Sequence, residues 1–165
     1  MPVTMKGNPV TLRGNIPEEG QQAPDAKLTA NDLSETNISS YTGKKLILSV
    51  VPSLDTPVCD TQTKRFNEEA GKLGEDVQIL TISMDLPFAQ KRWCGATGSD
   101  KIVTLSDYRY ADFGEKYGVL IENIRLLARA VFVITPDGKI VYKQIVPEIT
   151  EEPDYAAALN AVKSL

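Results

Sequence analysis

Apolar residues recur along this chain in two rhythms. Largely apolar runs at 45 to 51, 77 to 83, 102 to 105, 130 to 135 and 139 to 146 have the length and β-branched content of strands. The stretches 57 to 73, 86 to 96 and 107 to 117 space their apolar residues as helices do. Strand and helix in alternation predict an α/β fold, with a mostly parallel sheet covered on both faces. Thr135-Pro136-Asp137-Gly138-Lys139 lies between two apolar runs and predicts a turn, hence an antiparallel hairpin. The last helix is expected from near Thr150, with acidic residues and Pro153 in its first turn and Tyr155, Leu159 and Val162 on one face.

Upstream of these elements, Val3 to Arg13 alternates about Gly7-Asn8-Pro9 and predicts a short N-terminal hairpin. Glu18 to Asn37 is polar and reads as loop, with one short strand around Lys27 to Ala30. There is no repeat, and 165 residues suit a single domain spanning 1–165.

Charge and cysteine count narrow the function. With 18 basic against 22 acidic residues and no basic run, a nucleic-acid partner is not expected. The start lacks the apolar core of a signal peptide and no stretch approaches a membrane span, so a cytoplasmic location is expected. Two cysteines and no histidine leave a Cys/His zinc site without ligands and a Cys-His hydrolase without its base. Cys59 and Cys94 are too far apart for a Cys-x-x-Cys motif, and in a reducing compartment a structural disulfide is not expected. No metal and no cofactor are expected.

Chemistry concentrates where the first long strand hands over to a helix, at Pro52-Ser53-Leu54-Asp55-Thr56-Pro57-Val58-Cys59-Asp60. Thr56 suits the N-cap, with its hydroxyl on the helix start, and Pro57 suits the first helical position. Cys59 then falls in the first turn, where free backbone N–H groups and the macrodipole favour an anionic sulfur, the form that attacks electrophiles.

Pro52, Thr56 and Cys59 match the Pro-x-x-x-Thr-x-x-Cys motif of peroxiredoxins, and the chain resembles that family. Pro87 to Gly95 is similar to the resolving-cysteine helix of its thiol peroxidase subfamily, and Leu127-Ala128-Arg129-Ala130-Val131 to the strand bearing its active-site arginine. Resembling segments run from Gly7-Asn8-Pro9-Val10-Thr11 to Glu148 through Tyr155; the segment 121 to 126 departs, looking shorter and less glycine-rich than in some members. The resemblance implies a thioredoxin-like fold with an N-terminal β-hairpin extension and a mixed central sheet flanked by helices. It also implies an atypical two-cysteine peroxidase. Cys59 would be the peroxidatic nucleophile, Cys94 the resolving cysteine, Thr56 and Arg129 donors at the reacting atoms, and Pro52 the shield of the sulfur. Hydrogen peroxide and organic hydroperoxides would be reduced through a Cys59 sulfenic acid and a Cys59–Cys94 disulfide, recycled by thioredoxin, in a homodimer.

Without the resemblance, Arg129 could not be chosen over Arg125 or Arg92. Arg109, Arg125 and Lys64 read as solvated charges, Trp93 and Phe88 as packing between helix and sheet, and Asp60 and Asp85 as cap or first-turn residues. Two other functions use the same features. A redox sensor or disulfide-exchange protein would react slowly with peroxide, and a non-catalytic interaction module would keep both thiols under mild oxidation.

Overall fold

The structure, a computed structural model, describes residues 2–97 and 102–165. The chain runs β1 (Thr4–Met5), β2 (Asn8–Pro9), β3 (Leu12–Arg13), β4 (Lys27–Thr29), β5 (Glu35–Asn37), β6 (Lys45–Val50), α1 (Pro57–Leu73), β7 (Val77–Ser83) and α2 (Pro87–Thr97). It continues through β8 (Ile102–Ser106), α3 (Asp112–Lys116), β9 (Leu120–Ile121), β10 (Ala130–Ile134), β11 (Ile140–Ile145) and α4 (Tyr155–Lys163). Most of these elements start and stop within a residue or two of the sequence expectation.

The central sheet has seven strands in the order β11-β10-β6-β7-β8-β4-β5. Parallel pairing is confined to β6-β7-β8, so the sheet is mixed rather than mostly parallel. The β10–β11 hairpin docks antiparallel on β6, and β4 docks antiparallel on β8. Apolar periodicity carries no strand direction; the alternation of elements predicts a mostly parallel sheet, whereas the mixed sheet implied by the resemblance is the one found. β1 and β2 form the expected N-terminal hairpin, whereas β3 pairs with β9.

Unbroken apolar strands are explained by layers on both faces. Ile47, Ile79, Ile102, Val131 and Val133 point to one face and meet Phe66 of α1 and Tyr155, Leu159 and Val162 of α4. Leu46, Leu48, Leu80, Ile82 and Phe132 point to the other, against Phe113 and Tyr117. Phe66 is fully buried, and truncating such a ring to alanine costs about 3–5 kcal/mol.

Three helix starts differ from expectation. The helix expected over 107 to 117 is only Asp112–Lys116, because the Asp107 carboxylate accepts the backbone N–H of Phe113 and Gly114 and Ala111 turns left-handed at φ 51°. The last helix begins at Tyr155, not near Thr150: Asp154 caps it by accepting from Ala157 N, and Thr150 is drawn to the Glu148 carboxylate. Thr56 stands at the N-cap position of α1 without capping through its side chain; its hydroxyl donates instead to the Ser53 carbonyl at 3.1 Å.

Candidate active site

The loop after β6 is shaped by one carboxylate. Asp85, just past β7, accepts from Ser53 Oγ at 2.7 Å, Leu54 N at 2.8 Å and Ser83 Oγ at 2.8 Å. This pins 53 to 54 against the end of β7 and delivers the chain to Thr56 in an extended conformation, from which Pro57 opens α1. Asp85 is thus a loop tether rather than a cap.

Cys59, third residue of α1, is fully buried in a cluster with Val51, Leu54 and Trp93. Its carbonyl accepts the Thr63 hydroxyl at 2.8 Å, and its sulfur accepts Arg129 Nη2 at 3.2 Å. Arg129, immediately before β10, is 1% exposed. Two of its other N–H groups are engaged as well, one on Nη1 with Gln62 Oε1 at 2.9 Å and that on Nε with the Ile149 carbonyl at 2.8 Å. Gln62 in turn donates to Ser49 Oγ at 2.8 Å. A hydrogen-bonded chain therefore runs from β6 through α1 to the guanidinium and the sulfur.

Among the described residues no carboxylate pairs with Arg129. A buried charge left without a counter-charge costs several kcal/mol, and the nearest group that Arg129 Nη2 meets is the Cys59 sulfur at 3.2 Å. Beside this pair opens a cavity of about 350 Å³, whose lining includes Pro52, Thr56, Leu126, Arg129 and Ile149. Pro52 is buried and Thr56 half-buried in that wall. Pro52, Thr56 and Arg129 thus share one cavity wall, and Cys59 is joined to it through Arg129.

Cys94 is turned to other partners. It is half-buried on α2, with Sγ 3.5 Å from Thr104 Oγ1 of β8. Thr104 donates to Asn31 Oδ1 at 3.1 Å, and all three side chains line a second cavity of about 420 Å³. Both cysteines are free thiols. One bond ties their helices together: Trp93 Nε1 donates to Asp60 Oδ1 at 2.9 Å. Asp60 also pairs with Lys64 at 2.9 Å, so Lys64 is not merely solvated. Trp93 packs as expected, but Phe88 is 66% exposed and does not.

Sequence reasoning missed Gln62, Ser49 and the Ile149 carbonyl. Gln62 lay within reach, three residues beyond Cys59 and so on the same helix face. The Ile149 contact is made by a backbone atom and leaves no trace in residue type.

The redoxin family profile matches residues 18–159. The chain belongs to the redoxin family. Among its relatives, a thiol peroxidase of Oceanobacillus iheyensis is 58% identical over 158 residues, covering 96% of either chain. One of Bacillus subtilis is 55% identical over 163 residues, covering 99% of this redoxin and 97% of the relative. The crystal structure of a peroxiredoxin-like protein from Aquifex aeolicus matches with a TM-score of 0.92 at 48% identity, covering 99% of this redoxin and 96% of that chain. This redoxin groups with the thiol peroxidases, is an enzyme of that class, and has the thioredoxin-like fold of the peroxiredoxins.

Proposed function

We propose that this redoxin reduces hydroperoxides at Cys59 and completes its cycle through Cys94. Kinship with thiol peroxidases implies a hydroperoxide substrate and a thiol reductant; the residue roles and the identity of the reductant are the proposal. The observation that carries it is the buried guanidinium of Arg129 donating to the Cys59 sulfur at the start of α1.

The Cys59 thiolate attacks the distal peroxide oxygen, the O–O bond breaks, and an S–O bond forms. The departing oxygen takes a proton and leaves as water or an alcohol, while Cys59 becomes a sulfenic acid. Negative charge grows on the departing oxygen; Arg129 keeps two further N–H groups for it, and the Thr56 hydroxyl would turn from the Ser53 carbonyl to donate to it. Pro52 presents no N–H and closes the wall beside the sulfur. The Cys94 thiol then attacks the sulfenic sulfur, forming the disulfide and releasing water, and a dithiol of the thioredoxin type returns both cysteines to thiols.

The whole chain acts as one domain in this reading. Leu86, Phe88, Tyr108 and Tyr110 are exposed where β7 and β8 end, and such a patch supports a homodimer. A cytoplasmic setting is consistent with two free thiols, and among the described residues no helix is long and apolar enough to cross a membrane. The test is a coupled assay with thioredoxin, its reductase and a series of hydroperoxides. Turnover with thioredoxin supports the cycle, and turnover only with other thiols would replace the reductant.

A further inference from the structure

The wall of the site opposite α1 is built by two segments far apart in sequence, the β1–β2 hairpin and residues 147 to 150. Met5, Lys6, Ile149 and Thr150 from these segments line the cavity that holds Arg129. Thr4 N donates to the Pro147 carbonyl at 2.7 Å, and one carboxylate gathers further donors of both segments. Glu148 Oε1 accepts Thr4 Oγ1 at 2.8 Å and Gly7 N at 2.8 Å; Oε2 accepts Lys6 N at 3.1 Å, Thr150 N at 3.0 Å and Thr150 Oγ1 at 2.7 Å. Backbone donors at Thr150 and Gly7, then the hydroxyls, hold its carboxyl well below the usual carboxylate range.

The next residue carries the connection into the site. Ile149 N donates to the Thr4 carbonyl at 2.9 Å, and its own carbonyl accepts Arg129 Nε at 2.8 Å. The hairpin turn puts Lys6 and Gly7 at φ 50° and 80°, and Lys6 stays in that left-handed region with its N–H on the carboxylate. We infer that Glu148 is a positioning residue of the peroxide step: it staples the N-terminal hairpin to 147–150 and so fixes both the cavity wall and the carbonyl that aims Arg129 at Cys59.

This inference rests on the reading of Cys59 as the nucleophile, and the test keeps the two apart. Glu148→Gln keeps the size of the side chain but turns an amide N–H₂ toward donors. Single-turnover peroxide reduction should slow about tenfold, with the cost in kcat/KM for hydroperoxide and not in the rate with reductant. Adding Glu148→Gln to Arg129→Lys should slow that step by less than twofold further, because the lever is already cut. Thr4→Val and Thr150→Val each remove one hydroxyl donor and should give smaller losses of the same kind, which covers the case in which Glu148→Gln does not fold. A folded Glu148→Gln protein at the parent rate, or full additivity with Arg129→Lys, overturns the inference. So do parent rates in both threonine variants. Turnover by Cys59→Ser would instead overturn the nucleophile and leave the staple without a role in the peroxide step.

Discussion

Arg129 Nη2 lies 3.2 Å from Cys59 Sγ although 70 residues separate them, and both side chains are essentially buried. A guanidinium cannot lose its proton under ordinary conditions, so its charge is permanently available to the sulfur. Arg129→Leu should slow peroxide reduction by about a hundredfold, comparable to losing one strong oxyanion donor. Arg129→Lys should rescue little, because an ammonium cannot serve Gln62, Ile149 and the sulfur as a planar fork does. Stopped-flow rates within a few-fold of the parent for both variants would remove Arg129 from the chemistry.

Cys59→Ser should leave a folded protein with no peroxidase activity. Cys94→Ser should consume one equivalent of peroxide and stop, holding a sulfenic acid that thioredoxin recycles poorly. Intact mass after peroxide, with and without a sulfenic-acid trap, reads both outcomes; undiminished cycling by Cys94→Ser would show that another thiol resolves the intermediate.

The two sulfurs are anchored two strands apart. Ser49, Thr81 and Thr104 are aligned across β6, β7 and β8; the Arg129–Gln62 chain ends on Ser49, and Cys94 rests on Thr104. Cys94 also packs against the cluster that holds Cys59, but each thiol has its own partner, Arg129 for one and Thr104 for the other. If Cys94 resolves the Cys59 sulfenic acid as proposed, the start of α1, the Cys94 helix or both are expected to open so that the sulfurs exchange these partners for each other. Hydrogen exchange should be faster over 57 to 63 and 86 to 96 in the disulfide form than in the reduced form. Thr104→Val, which frees the Cys94 thiol, should speed disulfide formation without changing the first oxidation. Equal protection in the two redox forms would refute the opening step.

Asp107 makes a pH-dependent contribution far from the sulfur. Burial, with smaller effects from Asp112 and Glu115, pushes its carboxyl up to about 7 against the two N–H bonds from Phe113 and Gly114. Its folded value lies above the ordinary 3.8, so the fold favours the neutral acid. That stability is fully present below about pH 4 and is lost as pH rises through about 7. Asp107→Asn should remove this component of the melting-temperature profile. A slope unchanged in the variant would assign the titration elsewhere.

Much of this was legible in the residues. The Pro52–Cys59 spacing located the helix start, and the family resemblance selected Arg129. What escaped shares a physical cause, namely polar atoms that act across space. The Asp107 carboxylate shortens the helix that periodicity placed at 107, and Glu148 pulls Thr150 out of the helix expected there. Gln62 looked like any helix glutamine until Ser49 and Arg129 closed around it. The hairpin of β10 and β11 is expected from its turn, but the antiparallel docking of β10 on β6 is not, since no pattern of apolar residues encodes direction.

The single tryptophan stands one residue before Cys94 and is hydrogen-bonded to the residue that follows Cys59. Whatever separates the two helices must break that bond and move the indole out of the cluster around Val51 and Leu54. That ring is thus an intrinsic optical gauge of the separation of α1 and α2. Emission colour and intensity follow the hydration of one ring, so any such opening is expected to register in unlabelled enzyme, with no dye to disturb the helices being observed.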